Sequence, residues 1–239
     1  NTPSSVLKML GWTEEDLESK ETKKALENNR VYKLVDTCSA EFESQTPYLY
    51  STNGVSSDDI TSDKKKVVVI GSGPNRIGQG IEFDYCCVHG ISSLKENGFE
   101  AIMINSNPET VSTDYDTADK LYFEPLTWRE VKSVLNREKP DSVIIQLGGQ
   151  TPLKLAENIS KEGFNIAGSS VDVIERTEDR DLFQKLCLKH EIRQPVSNIA
   201  NNESELVNSV KKIGFPVLLR PSYVLGGRAM RVVQNNKEL

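Results

Sequence analysis

No Cys-x-x-Cys pair and no zinc-like Cys/His spacing occurs among the four cysteines, Cys38, Cys86, Cys87 and Cys187. That excludes the common structural zinc modules. Cys86-Cys87-Val88-His89 does not repair the lack, because adjacent helical side chains point about 100° apart and do not easily converge on one ion. Buried small residues in a reduced, cytoplasmic protein is the better reading. No apolar run is long enough to span a bilayer, so no membrane association is expected, and no secretory leader opens the sequence. No Lys/Arg block exceeds Lys64-Lys65-Lys66 and the formal charge is −6, so nucleic acid is not an expected partner.

What is present is concentrated in the middle. The 239 residues are 37% hydrophobic, and the dense apolar runs begin at Val67. Before it, residues 1–63 read as a helical piece, with helices around Val6–Leu10 and from Thr13, followed by a polar linker over 47–63. Val67-Val68-Val69-Ile70 has the continuous β-branched character of a strand buried on both faces of a parallel sheet. Ala101–Ile104, Leu121–Phe123 and Val143–Ile145 follow as strands. Helices are expected through Gly90–Lys95 up to Asn97-Gly98, from Thr127 to Lys139 with Thr127 and Glu130 as a capping box, and from Thr151 to Lys161. This alternation predicts a doubly wound, mostly parallel α/β sheet over 64–168. Beyond Gly168 the order changes to helix Glu178–His190, helix Asn202–Lys212, and strands Val217–Arg220 and Met230–Val233, an α+β segment expected to be incomplete at 239.

The loop Gly71-Ser72-Gly73-Pro74-Asn75-Arg76-Ile77-Gly78-Gln79-Gly80 invites two nucleotide-binding readings. The dinucleotide fingerprint requires glycine where Arg76 stands, and an acid closing the next strand where Asn105 stands. A P-loop requires Lys-Ser/Thr where Gln79-Gly80 stands. Both fail, and a nicotinamide-dependent oxidoreductase is rejected. A tight strand-to-helix turn remains, with anion binding at the helix start left open.

Longer strings carry a resemblance. Gly73 to Tyr85 (GPNRIGQGIEFDY), Asn105 to Asp119 (NSNPETVSTDYDTAD), Gly148-Gly149-Gln150-Thr151, Glu178-Asp179-Arg180 and Arg220 to Met230 (RPSYVLGGRAM) stand in that order. Together they resemble the large subunit of the carbamoyl phosphate synthetases, with Val35-Asp36-Thr37-Cys38 placed as that family's linker. The resemblance implies three parts: the helical end of an oligomerisation region and linker (1–63), a Rossmann-like pre-ATP-grasp domain (64–168), and the start of an ATP-grasp domain (169–239). The family is an internal duplication, and Pro108-Glu109-Thr110-Val111-Ser112 and Gly226-Gly227-Arg228-Ala229-Met230 are similar to the second half, which phosphorylates carbamate.

The resemblance implies an ATP-dependent ligase. Its parent makes carbamoyl phosphate from bicarbonate, glutamine-derived ammonia and two ATP, for pyrimidine and arginine synthesis. Arg180 and Arg220 become ATP-contacting arginines, Arg220 reaching phosphate oxygens, and Gly226-Gly227 becomes a loop over the triphosphate. Guanidinium groups suit this chemistry, which rests on positioning and charge neutralisation. Without the resemblance, Arg180 beside Glu178 and Asp179 reads as an ordinary surface arginine. Glu82 and Glu109 correspond to acids associated with a tunnel carrying carbamate between active sites; carboxylates capping nearby N–H groups is the alternative. ATP is the implied cofactor with Mg2+ or Mn2+, whose ligands the resemblance places beyond residue 239. A glutamine amidotransferase subunit or domain and the other half of the large subunit are the implied partners. A reading from another class is a non-catalytic α/β scaffold or assembly module.

Overall fold

A computed structural model describes residues 30–37, 46–75, 80–221 and 229–239, together with Thr13 and Ser19. The expected N-terminal helices lie outside the described residues, Thr13 apart. The chain divides into two compact units, one of Asn1–Pro74 with Glu82–Ala167 and one of Asn75–Ile81 with Gly168–Leu239.

The first unit is built on a mostly parallel sheet. Its strands are β1 (Arg30–Leu34), β2 (Tyr48–Asn53), β3 (Lys66–Ile70), β4 (Glu100–Asn105), β5 (Lys120–Phe123) and β6 (Ser142–Ile144). Their order is β1-β2-β5-β4-β3-β6. β3 pairs in parallel with β4, Lys66 opposite Glu100 and Ile70 opposite Ile104, and on its other side with β6, Val68 opposite Val143. β4 continues the parallel pairing to β5, with Ile102 opposite Lys120. Val67 to Ile70 and Ala101 to Ile104 are all buried, as expected for strands covered on both faces. Each Val, Ile or Met side chain among them contributes about 1.5–3 kcal/mol on burial.

Two strands correct the sequence reading of residues 1–63 as helix and linker. β1 and β2 pair antiparallel, Arg30 opposite Asn53, and β2 joins the sheet in parallel beside β5. Only Val31, Tyr32 and Leu49 of this pair are buried, so the pair carries little of the apolar signal that marks the central strands.

The helices of this unit are α1 (Glu82–Glu96), α2 (Trp128–Glu138), α3 (Gln150–Leu153) and α4 (Ala156–Lys161). Asp84, Cys87 and Ile91 form the buried stripe of α1, and Cys87 and Ile91 pack with Val69, Ala101, Met103, Ala118 and Leu121. α2 starts after Thr127 as expected, but the Thr127 hydroxyl bonds the Glu130 carboxylate rather than a backbone N–H. It stops at Lys139, which turns left-handed at φ 48° and donates its N–H to Leu135 O. The single helix expected over 151–161 is two short ones, because the Leu155 N–H bonds Pro152 O three residues back and tightens the chain there.

The second unit holds α5 (Val171–Glu178), α6 (Arg180–Lys189), α7 (Glu203–Ile213), β7 (Val217–Leu219) and β8 (Arg231–Val233). The expected helix from Glu178 to His190 is corrected at its start. Glu178 closes α5, and Asp179, in extended conformation, caps α6 by accepting the Leu182 N–H at 2.9 Å. Asn202 caps α7 in the same way through Glu205 N. β7 and β8 pair antiparallel, and Val217, Val233 and Val210 form the small core beneath them.

Candidate functional site

Ligands of α/β sheets gather beyond the carboxyl ends of the strands, at the point where strand order reverses. Here that point lies between β3 and β6, where two backbone segments come close. A Cβ on Gly148 would stand 2.5 Å from Ile70 O and 2.6 Å from the Gly71 carbonyl carbon and oxygen. Gly149, at φ 71°, lies against the Phe83 ring, and α1 approaches Leu147 so closely that a Cβ on Gly90 would meet Leu147 Cδ1 at 2.4 Å. The string Gly148-Gly149-Gln150-Thr151 therefore serves close loop-on-loop packing.

Beside it, a hydrogen-bonded chain of polar groups joins the two loops that follow β3 and β4. Asn105, fully buried at the end of β4, accepts three backbone N–H groups at Oδ1: Ser106 at 2.9 Å, Gly73 at 3.1 Å and Asn107 at 3.3 Å. Its Nδ2 donates to Ser112 Oγ at 3.2 Å. Ser112 N in turn donates to Asp84 Oδ2 at 3.1 Å. Asp84 Oδ1 is buried without a hydrogen-bond partner. Asn105 occupies the position a ribose-binding acid would need, yet its amide is consumed in holding backbone.

Glu82 opens α1 and is exposed, and Glu109 is exposed in the loop after β4, its own N–H bonded to Asn107 Oδ1 at 3.1 Å. The polar chain from Gly73 to Asp84 thus ties together the two segments carrying these acids. Sequence reasoning missed Asp84 and Asn105. The signal for Asp84 was its spacing, because a carboxylate in register with Cys87 and Ile91 on a buried stripe requires a partner. Cys87 offers no reactivity: burial, then the charge of Asp84, pushes its thiol up to about 12.

In the second unit, Arg180 is the first residue of α6 and Arg220 the first after β7, and both are exposed. Arg180 Nη1 makes a long 3.4 Å hydrogen bond to Pro221 O. This places the Arg180 guanidinium beside the backbone that follows Arg220, so the structure brings these two predicted residues into one neighbourhood. Gly226 and Gly227 lie outside the described residues. Among the described residues no group of three or more His, Cys, Asp or Glu could hold a metal ion, and no helix is long and apolar enough to cross a membrane.

Comparison with known proteins gives consistent results for both units. Residues 63–176 match the family model of the carbamoyl phosphate synthase preATP-grasp domain, and residues 179–239 that of the carbamoyl-phosphate synthase L chain, ATP binding domain. The carbamoyl phosphate synthase large chain of Thermotoga neapolitana is 55% identical over 224 residues, 92% of this chain and 20% of the relative. That of Neisseria meningitidis serogroup B is 55% identical over 222 residues, 93% of this chain and 21% of the relative. The chain thus spans about a fifth of the length of these relatives. A Rhizobium etli pyruvate carboxylase solved with acetyl coenzyme-A shares the fold at 19% identity and a TM-score of 0.53, over 74% of this chain and 16% of that one.

Proposed function

The chain belongs to the carbamoyl phosphate synthase large-chain family, and from that premise we propose that it forms part of the half that phosphorylates carbamate. The observation that carries this reading is Asn105-Ser106-Asn107-Pro108-Glu109-Thr110-Val111-Ser112, whose Pro-Glu-Thr resembles the second half where the first half has Pro-Ala. We place the pre-ATP-grasp domain at 64–168, its sheet extended by β1 and β2 from the residues before it, and the ATP-grasp segment at 169–239.

In this reading Arg220 neutralises the phosphates of ATP while carbamate, itself an anion, attacks the γ-phosphoryl group. Arg180 supports it from the start of α6, its guanidinium standing beside Pro221 O. Gly226 and Gly227 let backbone approach the triphosphate. A divalent cation, Mg2+ or Mn2+, would supply further charge neutralisation, held by ligands other than the described residues. Glu82 and Glu109 line the path by which carbamate arrives. The working protein is cytoplasmic, receives ammonia from a glutamine amidotransferase subunit or domain, and pairs this half with the other half of the same large chain. It would serve pyrimidine and arginine synthesis.

A scaffold role without chemistry predicts no nucleotide affinity. The test is calorimetry of ATP with this chain and with one extended through the rest of the ATP-grasp region. We expect ATP binding in the extended chain, and its absence from both would overturn the enzymatic reading.

A further inference from the structure

We propose that Asn105 and Asp84 are positioning residues for carbamate transfer, fixing the two backbone segments that present Glu82 and Glu109. The inference rests on the reading of those two acids as part of the transfer path.

The geometry is a pair of ties between described residues. The stretch from Asn105 to Ser112 contains Glu109 and is held at both ends: Gly73 N, just after β3, donates to Asn105 Oδ1 at 3.1 Å, and Ser112 N donates, also at 3.1 Å, to Oδ2 of Asp84 in the first turn of α1, the helix that Glu82 opens. Asn105 Nδ2 to Ser112 Oγ braces this stretch across its own ends. Asn105, Asp84 and Ser112 are all buried, so water does not compete for these bonds, and losing one leaves an N–H unsatisfied inside the protein. The 3₁₀ turn Val111–Thr113, which contains Ser112, packs against α1. Neither tie holds a regular element together, since β3 and β4 keep their own ladder and α1 its own helix. The residue types fit: only an amide supplies both the acceptor for three N–H groups and the donor to Ser112. Displacing an acid by about 1 Å on a transfer path is enough to cost roughly 100-fold.

The test uses the full-length large chain with its glutamine-handling partner. Three activities are measured: overall carbamoyl phosphate synthesis, bicarbonate-dependent ATP hydrolysis, and ATP formation from ADP and carbamoyl phosphate added from solution. Asn105→Ala and the milder Ser112→Ala should lower overall synthesis, Asn105→Ala by roughly 10- to 100-fold, while both partial reactions persist. Asn105→Asp keeps the acceptor for Gly73, Ser106 and Asn107 but loses the donor to Ser112, and should recover the synthesis only in part. Glu82→Gln and Glu109→Gln run alongside. If they lower synthesis and Asn105→Ala and Ser112→Ala do not, the positioning role is overturned and the path stands. If the glutamine variants leave synthesis unchanged, the path itself is overturned and the positioning role falls with it. Loss of ATP formation from ADP in both Asn105→Ala and Ser112→Ala would assign the residues to the fold of the half-site and overturn the proposal.

Discussion

Lys120, with none of its side chain exposed, holds the buried Glu138 carboxylate at 3.0 Å and stands 3.4 Å from buried Glu100. Lys120, Glu100 and Lys66 open β5, β4 and β3, and Glu138 closes α2, so these charges meet at the amino-terminal edge of the sheet, opposite the polar chain at Asn105. Lys66 reaches Glu138 at 2.8 Å, Tyr122 donates to the same carboxylate, and Asp59 approaches Lys120 from the segment before β3. Removing one partner of a buried pair leaves an uncompensated charge, which costs about 3–5 kcal/mol. Lys120→Met should therefore lower the urea midpoint strongly, by an amount of that order. Lys33→Met, which breaks a half-exposed pair with Asp58, should cost under about 1 kcal/mol.

Acid stability should depend on the same cluster with opposite signs at its two glutamates. Burial disfavours the charged form of Glu138, but hydrogen bonds from Lys66 and Tyr122 and the charge of Lys120 outweigh it and hold its pKa below the usual range. Its stabilisation is full above the unfolded glutamate value of about 4.3 and is lost as pH falls through the lower folded value. For Glu100 burial prevails over Lys120 and Lys66 and the pKa is raised, so its contribution is greatest at low pH and is lost as pH rises through the folded value. Urea midpoints between about pH 7 and pH 3 should fall less steeply in Glu138→Gln and more steeply in Glu100→Gln. The same slope in both variants as in the unaltered chain would disprove the assignment.

The central sheet was legible because Val67–Ile70 and Ala101–Ile104 are apolar at every position, a pattern only two-faced burial produces. β1 and β2 were not, because Arg-Val-Tyr-Lys-Leu and Tyr-Leu-Tyr-Ser-Thr-Asn have polar residues where an outer strand meets water. Lys120 was illegible for a different reason. A lysine opening a strand reads as solvated, and its burial depends on Glu100 arriving from β4 and Glu138 from the end of α2. The start of α6 after Asp179 was legible in principle, since Asp followed by Arg-Asp-Leu is a capping sequence, but Glu178, itself helical as the last residue of α5, masked it. Among the candidate site residues, Arg180 came from the family resemblance alone, because an exposed helical arginine carries no periodic signal, while Arg220 had partial support in the sequence as a charge ending an apolar strand.

Nicotinamide dinucleotides should not bind at the loop after β3. Arg76 stands where the dinucleotide fingerprint needs glycine, and Asn105 spends its side chain on Gly73, Ser106 and Asn107. Calorimetry with NAD is expected to give no heat of binding. Gly148→Ala supplies a companion measurement: its Cβ would meet backbone at 2.5 Å, so the loop must shift, and a loss of about 1–3 kcal/mol in stability is expected. Tight NAD binding that disappears on changing Gly73 would refute this account of the loop.

Arg220→Ala in the full-length large chain should cripple carbamoyl phosphate synthesis. Arg220 stands exposed at the end of β7, with Arg180 bonded to the neighbouring Pro221 carbonyl, and in the proposed reading these two guanidinium groups serve the triphosphate. Loss of one donor to transition-state charge typically costs about 100- to 1,000-fold in rate. Arg220→Lys keeps the charge but not the planar two-donor fork, and should be impaired as well. Stability should change little, because an exposed side chain beyond a short strand contributes within about 0.5 kcal/mol, and a matched urea midpoint separates loss of chemistry from loss of fold. The partial reactions then decide which half is affected. ATP formation from ADP and carbamoyl phosphate should fall with overall synthesis, while bicarbonate-dependent ATP hydrolysis persists at the other site. The reverse result, hydrolysis lost and ATP formation spared, would move this chain to the other half of the duplication.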